Sequence, residues 1–161
     1  MCYIAFDVDG VLMDVDERFK RAEELSKHDT DCFWEIFFNE ELMDLDKPRG
    51  VAKELINSRI GAYGLIIITG RPRKLYNITL NQLERFYNLR PAKIYMRSSY
   101  DRRPASILKP ELIGRAINEG FHIVEYHDDE EDVLKKIKDL YPYITLYLHD
   151  RTSYKVYWKG I

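Results

Sequence analysis

The chain has 161 residues and a formal net charge of −2 at pH 7, with 45% hydrophobic and 32% charged residues. This balance is typical of a single folded domain with its own core and excludes a disordered chain. It also excludes a strongly basic surface for duplex nucleic acid, while leaving room for a local patch of arginines.

The apolar runs are short and the cysteines are few. The longest aliphatic run, residues 65–68, is far too short to cross a membrane, and we expect no secretory leader and no membrane partner. Cys2 and Cys32 lack the spacing of metal ligands. We therefore expect reduced thiols in a cytoplasmic protein that is a monomer or a small homo-oligomer.

Two carboxylates follow the first predicted strand. The apolar residues 3–6 lead directly into Asp7, Val8, Asp9 and Gly10. Side chains two residues apart in an extended chain point the same way, so Asp7 and Asp9 should face one site. Such a pair suits Mg²⁺, which prefers oxygen ligands, and a carboxylate nucleophile with a neighbouring acid/base. The alternative is an ordinary β-turn built from Asp, Asp and Gly.

Residues 14–47 are predicted to form a helical insertion, with Asp31 as the N-cap of its second helix. The segment mixes charged residues with the aromatic residues Phe33, Trp34, Phe37 and Phe38. We expect these aromatic side chains to pack on the core, and a small lid over the site is the alternative. The insertion is too short for a separate globular domain.

Short apolar runs alternate with helical stretches along the chain. Strand candidates lie at residues 3–6, 65–69, 93–96, 122–126 and 144–148. Apolar residues recur with helical spacing between them, and Pro110 and Gly120 are predicted to open and close one helix. Asp46 and Pro48 precede another such stripe.

This alternation predicts an α/β fold, a Rossmann-like parallel five-stranded sheet with helices on both faces. We expect one domain over residues 1–161. Its C-terminal tail, residues 150–161, forms an edge strand, packs on the core or contacts a partner.

Further polar groups follow later strands. Thr69, Gly70 and Arg71 come after the aliphatic run 65–68, where N–H groups of a helix start bind phosphate oxygens. A locally satisfied Thr69 in a capping turn is the alternative. Lys109 is placed at another predicted helix start, where a solvated lysine is equally ordinary. Residues 128–132 are all acidic, which suits either a helix dipole or a hard cation.

The order of these motifs resembles the haloacid-dehalogenase-like (HAD) superfamily. The acid pair, Thr69, Lys109 and the acidic cluster occur in the order of its four motifs, each at a strand end or the following helix start. Residues 7–14, 68–72, 95–97, 101–104 and 128–129 resemble the branch of polynucleotide-kinase-type 3′-phosphatase domains. The resemblance covers about residues 1–148 and implies a HAD-like fold with a minimal helical cap insertion.

The resemblance implies a role for each motif residue. Asp7 would attack phosphorus and form an aspartyl-phosphate, and Asp9 would protonate the leaving oxygen and then activate water. Thr69 would hold the transferring phosphoryl group and Lys109 would neutralise charge. The implied metal is Mg²⁺, and its implied ligands are Asp7, the backbone carbonyl of Asp9, and Asp128, supported by Asp129 or Asp132.

The substrate class is less sharply indicated. Gly70, Arg71, Arg97 and Arg103, with Arg102 nearby, are candidate contacts to the substrate and its extra phosphates. A solvated surface cluster is the alternative for these arginines. Ala105 and Glu130 depart from the pattern of the branch at positions that are often acidic and basic, respectively.

We expect a Mg²⁺-dependent phosphomonoester hydrolase whose leading substrate class is a nucleotide or a nucleic-acid 3′-end. A small-molecule phosphatase, such as a nucleotidase or sugar-phosphatase, is the alternative. A catalytically silent HAD-like binding module ranks below both, because Asp7, Asp9 and Lys109 are all present.

Overall fold

A computed structural model describes residues 1–161. Its strands are β1 (Cys2–Phe6), β2 (Met13–Asp14), β3 (Lys47–Pro48), β4 (Gly64–Pro72), β5 (Lys93–Arg97), β6 (His122–Asp128), β7 (Thr145–His149) and β8 (Tyr154–Trp158). Its helices are α1 (Asp16–Ser26), α2 (Thr30–Phe37), α3 (Ala52–Arg59), α4 (Tyr76–Tyr87), α5 (Ala105–Asn118) and α6 (Glu131–Leu140), with short 3-10 helices at Glu40–Leu45 and Arg73–Leu75. None of the helices combines the length and hydrophobicity that crossing a bilayer requires.

The main sheet has six strands in the order β5–β4–β1–β6–β7–β8. The α/β architecture is confirmed, and the first five strands are parallel as the alternation predicts. The expected number of five strands is wrong, because the tail adds β8 antiparallel to β7. A short turn at residues 150–153 allows this hairpin, which needs no crossover helix.

Two apolar layers cover the sheet. One face packs α5 and α6 against fully buried residues of the central strands, such as Ala5 and Tyr126. The other face packs α3 and α4 against residues such as Ile4 and Phe6. Strand β1 is therefore buried on both faces, which explains why its sequence is a continuous apolar run.

The insertion begins at β2 and ends at β3, and these two strands pair antiparallel as a separate two-stranded sheet. Between them, Ala22, Phe33 and Phe37 form a small apolar cluster of their own. The expectation that the aromatic residues pack on the main core is wrong for Phe33 and Phe37, which lie in this separate cluster, and for Trp34, which is exposed. Phe38 does reach a core cluster, formed by Met43, Leu75 and Met96. Asp29, not Asp31, caps α2, accepting the backbone N–H of Cys32 at 3.0 Å.

Two helix starts also differ from the sequence expectation. Helix α5 begins at Ala105, so Lys109 and Pro110 lie within it and not at its start. Strand β4 runs on to Pro72, so no helix begins at Thr69. Pro110 lies in the second turn of α5, so the helix continues through it with one backbone hydrogen bond fewer.

Candidate active site

The site begins at the carboxyl end of β1, the strand between β4 and β6. The backbone N–H of Asp7 donates to the carbonyl of His127 at 3.0 Å and so extends the pairing with β6. The chain then turns sharply, and the carbonyl of Val8 accepts the N–H groups of residues 11–13. The Asp7 side chain is only 5% exposed. The sheet and this turn together fix the position of its carboxylate.

Lys109 connects Asp7 to the neighbouring strand. Its Nζ donates to Asp7 Oδ2 and to Asp128 Oδ2, each at 2.9 Å, and all three side chains are buried. Asp128 is the last residue of β6, beside β1, and the hydroxyl of Tyr126 also donates to its Oδ2. The structure thus brings together three of the motif residues that the sequence analysis selected.

Three carboxylates form a candidate metal site. Oxygen atoms of Asp7, Asp128 and Asp129 lie within 4.8 Å of one another. Gly10 makes room for Asp129, since a Cβ at Gly10 would lie 2.1 Å from Asp129 Oδ2, and its φ of +83° also favours glycine. Asp132 is exposed in the first turn of α6 and is not part of this group.

The electrostatics of this group favour an added cation. Burial and the charges of Asp128 and Asp129 raise the pKa of Asp7 well above its usual range, against the pull of Lys109. Burial and Asp128 also raise the pKa of Asp129, the most exposed of the three. Burial opposes the charge on Lys109, but Asp128 and Asp7 outweigh it and raise the pKa of Lys109. One lysine does not neutralise three carboxylates, so these oxygen donors fit a hard divalent cation.

Asp9 faces a separate pair of cations. Its Oδ1 accepts hydrogen bonds from Arg18 Nη2 at 2.7 Å and from Arg71 Nη2 and Nε at 2.7 and 3.1 Å. Its Oδ2 accepts none from the protein, and 18% of the side chain is exposed. Burial alone would raise the pKa of Asp9, but Arg18 and Arg71 outweigh it and hold this pKa well below its usual range. The carboxylate is therefore ionised.

Arg71 is not available to a substrate. It is fully buried, and its Nη1 donates to Thr79 Oγ1 at 2.9 Å and to Gln82 Oε1 at 2.7 Å. Its Nη2 donates to Asp46 Oδ2 at 3.0 Å as well as to Asp9. The structure contradicts the expectation that Arg71 contacts a substrate phosphate, and equally the alternative of a solvated arginine, because every side of the guanidinium is occupied.

Gly70 and Arg97 lie beside Lys109. Arg97 Nε donates to the carbonyl of Gly70 at 2.9 Å, and a Cβ at Gly70 would lie 3.5 Å from Arg97 Nη2 and 4.0 Å from Lys109 Cε. Arg97 Nη2 makes no hydrogen bond within the protein, so it is a free donor near the site. Thr69 is buried, and its Oγ1 accepts the N–H of Arg71 at 3.1 Å, which leaves the hydroxyl proton free.

Arg103 is engaged elsewhere. Its Nη2 pairs with Asp101 at 2.8 Å and with Glu111, and its Nε also donates to Asp101, which leaves only Nη1 without a hydrogen bond in the protein. A groove of about 720 Å³ runs along α5 from Arg103 to Tyr141, but it includes none of Asp7, Asp9, Lys109 or Asp128. The structure therefore does not bring Arg103 together with the catalytic candidates.

The sequence analysis missed the residues behind the site. Arg18 and Arg49 are buried arginines in the insertion and in the segment just after it, and both contact the 7–13 segment. His127 and His149 form a buried hydrogen-bonded pair at 2.8 Å. No short motif marks these residues, since their partners lie far away along the chain.

Solved structures of other proteins share this fold. One chain in the structure of a Pnkp1/Rnl/Hen1 complex superposes with a TM-score of 0.70 at 18% identity, over 95% of this chain and 47% of that one. A haloacid dehalogenase-like hydrolase from Streptococcus pneumoniae superposes with a TM-score of 0.66 at 15% identity, over 91% of this chain and 83% of that one. This chain thus spans about half the length of the first. Among curated proteins, none matches this chain.

The fold, the residues at its strand ends and a matching family model together define a HAD-like phosphatase. The family model of the polynucleotide kinase PNKP phosphatase domain matches residues 2–144, nearly the whole chain. The chain belongs to this family.

Proposed function

We propose that this phosphatase domain hydrolyses phosphomonoesters in a Mg²⁺-dependent reaction through an aspartyl-phosphate on Asp7, with nucleotide or nucleic-acid 3′-phosphates as its leading substrates. One observation carries the proposal. The nucleophile candidate Asp7 shares Lys109 with Asp128, and its carboxylate oxygen lies within 4.8 Å of oxygens of Asp128 and Asp129. This arrangement supplies both a nucleophile and the charge neutralisation that phosphoryl transfer requires.

In the first step, a carboxylate oxygen of Asp7 attacks phosphorus and the bond to the leaving oxygen breaks. Lys109 offsets charge on Asp7 and on the transferring group, and Thr69 is placed to donate its free hydroxyl proton. Asp9 is ionised at rest, so the proton for the leaving oxygen comes from the substrate monoanion, whose second pKa is about 6, and passes through Asp9.

In the second step, Asp9 takes a proton from the attacking water, the acyl-phosphate bond breaks, and Asp7 is regenerated with release of phosphate. Asp9 then releases that proton to solvent and returns to its ionised state. Asp7, Asp128, Asp129 and the backbone carbonyl of Asp9 would hold Mg²⁺. The ion would supply Lewis-acid stabilisation of phosphoryl charge when bound.

The test is hydrolysis of a panel of mononucleotides, sugar phosphates and 3′-phosphorylated oligonucleotides, with Mg²⁺ and with chelator. Asp7→Asn should abolish turnover, because the amide is nearly isosteric but is not a nucleophile. Asp44→Asn is the matched control, because Asp44 is exposed and belongs to none of the proposed catalytic or metal-binding groups. If Asp7→Asn keeps activity within about tenfold of wild type, a difference of about 1.4 kcal/mol in activation free energy, the covalent mechanism is contradicted.

Metal binding has its own test. Mg²⁺ should raise the melting temperature of the wild type, because it would bind only the folded carboxylate group. The shift should disappear in Asp128→Asn and persist in Asp132→Asn, since Asp132 lies outside that group. Equal shifts in both variants would show that Asp128 is not a ligand.

A small-molecule phosphatase is the second candidate, and the arginines favour it. Arg71 is buried and Arg103 is paired with acids, so Arg97 is the one member of the predicted set with a free donor beside Gly70. If a polynucleotide is the substrate, Arg97→Ala should raise KM for a 3′-phosphorylated oligonucleotide more than for p-nitrophenyl phosphate, and salt should mimic the change. Equal effects of Arg97→Ala on the KM of both substrates would favour a small-molecule phosphatase.

A further inference from the structure

The insertion contributes a buried carboxylate, Asp46, that lies behind the acid/base candidate. We propose that Asp46 is a positioning residue for cleavage of the phosphoester bond: through Arg18 and Arg71 it fixes the Asp9 carboxylate by one oxygen and leaves the other free for proton transfer. The proposal rests on the proposed function, in which Asp9 passes a proton to the leaving oxygen.

Asp46 holds both arginines at once. Its Oδ1 accepts from Arg18 Nε at 2.8 Å, and its Oδ2 accepts from Arg18 Nη2 at 3.1 Å and from Arg71 Nη2 at 3.0 Å. Gln82 Nε2 adds a further donor to Oδ2 at 3.1 Å. The Asp46 side chain has no solvent exposure, and neither arginine has any. These three side chains are therefore held by the protein alone, without contact to solvent.

The two guanidinium groups need this partner. Arg18 Nη2 and Arg71 Nη2 meet on a single oxygen of Asp9, each at 2.7 Å, so two like charges approach each other closely. Asp46 carries the second negative charge that offsets them, and it makes the cluster neutral. Without Asp46, one carboxylate would face two buried cations, an arrangement that a protein interior does not stabilise.

The remaining donors of the arginines are also occupied. Arg18 Nη1 donates to the carbonyl of Phe37 at 3.1 Å, and its Cζ lies 4.3 Å from the centre of the Phe37 ring. Arg71 Nη1 donates to Thr79 and Gln82. Each guanidinium is thus held by hydrogen bonds on several sides. These hydrogen bonds fix its orientation and therefore the direction of its bond to Asp9 Oδ1.

This geometry separates the two oxygens of Asp9. Every hydrogen bond of the carboxylate within the protein is on Oδ1, so Oδ2 alone is open to receive a proton and deliver it. As the bond between phosphorus and the leaving oxygen breaks, that oxygen takes the electron pair and the proton from Asp9 Oδ2. An alkoxide leaving group needs that proton, whereas p-nitrophenolate leaves well without it.

A purely structural role for Asp46 makes a different prediction. If it only tethers the insertion, its loss lowers the amount of active enzyme and affects all substrates alike. If it positions Asp9, its loss slows substrates with alcohol leaving groups selectively. The discriminating quantity is the ratio of kcat/KM for a nucleoside 3′-monophosphate to kcat/KM for p-nitrophenyl phosphate. The value of kcat/KM reports the first step, whereas both substrates share the second step through the same aspartyl-phosphate.

The experiment measures this ratio for the wild type, Asp46→Asn, Asp9→Asn and the exposed control Asp44→Asn. We expect Asp46→Asn to lower the ratio by at least about tenfold, in the direction of Asp9→Asn, while Asp44→Asn leaves it unchanged. Arg18→Lys, which keeps the charge but loses the two-pronged contact to Asp46, should lower the ratio too and serves if Asp46→Asn folds poorly.

Two outcomes would overturn the inference. If Asp9→Asn lowers the ratio but Asp46→Asn and Arg18→Lys do not, Asp46 does not position Asp9 and the proposed function stands. If Asp9→Asn itself leaves the ratio unchanged, the proton-transfer role of Asp9 fails and the inference falls with it.

Discussion

Two buried polar networks hold the 7–13 segment from different sides, and they are built on opposite electrostatic principles. The Asp46 network, comprising Asp46, Arg18, Arg71 and Gln82, is made of full charges that cancel. The histidine network, comprising Arg49, His149, His127 and Glu125, passes hydrogen bonds through two neutral rings to a carboxylate. The first contacts the side chain of Asp9, and the hydrogen bonds of the second to the segment are all to its backbone.

The hydrogen bonds between the side chains of the histidine network all donate in one direction, from Arg49 towards Glu125. Arg49 Nη1 donates to the carbonyl of Val11 at 2.7 Å and to His149 Nδ1 at 2.8 Å, because arginine has no acceptor. His149 Nε2 then donates to His127 Nδ1, and His127 Nε2 donates to Glu125 at 2.7 Å. Burial, together with His127 and Arg49, lowers the pKa of His149 to about 3, so its ring stays neutral.

The difference teaches how one segment can serve both chemistry and stability. A charged network that contacts a reacting side chain should affect the chemical step. A neutral network that contacts backbone should affect the stability of the segment and leave the relative rates of different substrates unchanged. Each prediction below tests one side of this contrast.

The largest effect is expected in the Asp46 network. Arg71→Met removes one of two buried cations and should lower the free energy of unfolding by about 3–5 kcal/mol, because Asp9 and Asp46 then share a single arginine. Urea denaturation measures this loss. Arg73→Met, at an exposed position two residues away, is the control. A loss no larger than that of the control would mean that the buried charges are not the basis of this network.

A smaller loss is expected at Arg49. Arg49→Met removes the donors to the carbonyls of Val11, Asp150 and Ser153 and should lower the free energy of unfolding by about 2–3 kcal/mol. The ratio of kcat/KM for a nucleoside 3′-monophosphate to kcat/KM for p-nitrophenyl phosphate should stay as in the wild type, because no bond to Asp9 is lost. A fall in this ratio as large as that of Asp46→Asn would erase the contrast between the networks.

The smallest effect concerns pH and His149. The unfolded chain protonates this histidine below about pH 6.5 while the folded chain does not, since burial lowers its pKa to about 3. Its contribution to stability is therefore present above pH 6.5 and is lost as the pH falls. His149→Phe should remove up to about 1.4 kcal/mol per pH unit from the slope of unfolding free energy below pH 6. Identical slopes in the two proteins would argue against a neutral buried ring.

The sequence predicts those site residues that its motifs place at strand ends. Asp7, Thr69 and Asp128 follow apolar runs, and parallel strands bring their carboxyl ends to one edge of a sheet. Lys109 joins Asp7 and Asp128 although its helix starts earlier than Pro110 suggests, since its place in the order of the motifs does not depend on the helix start. The tail is compatible with an edge strand, with core packing or with a partner contact, and pattern alone does not choose between them.

The two networks could not be predicted in the same way. Arg18 and Asp46 are 28 residues apart and both look like ordinary polar residues of a helical insertion. Arg71 sits in a recognisable motif, yet its burial depends on Asp46 and Gln82, which tertiary packing brings close to it. Pairings between distant buried charges leave no periodic or local signal, so sequence patterns assign such residues to the surface by default.

The most direct test of the catalytic centre is to trap the phosphoryl group on Asp7. Asp9→Asn should still react with p-nitrophenyl phosphate, whose leaving group needs no proton, but should lack the base for the second step. We predict a burst of about one nitrophenolate per protein molecule and an acid-stable phosphoryl adduct, which peptide mass spectrometry places on Asp7. The double variant Asp7→Asn/Asp9→Asn should give neither. Steady turnover without a burst or adduct, or an adduct on another residue, would contradict the assignment of Asp7 as nucleophile.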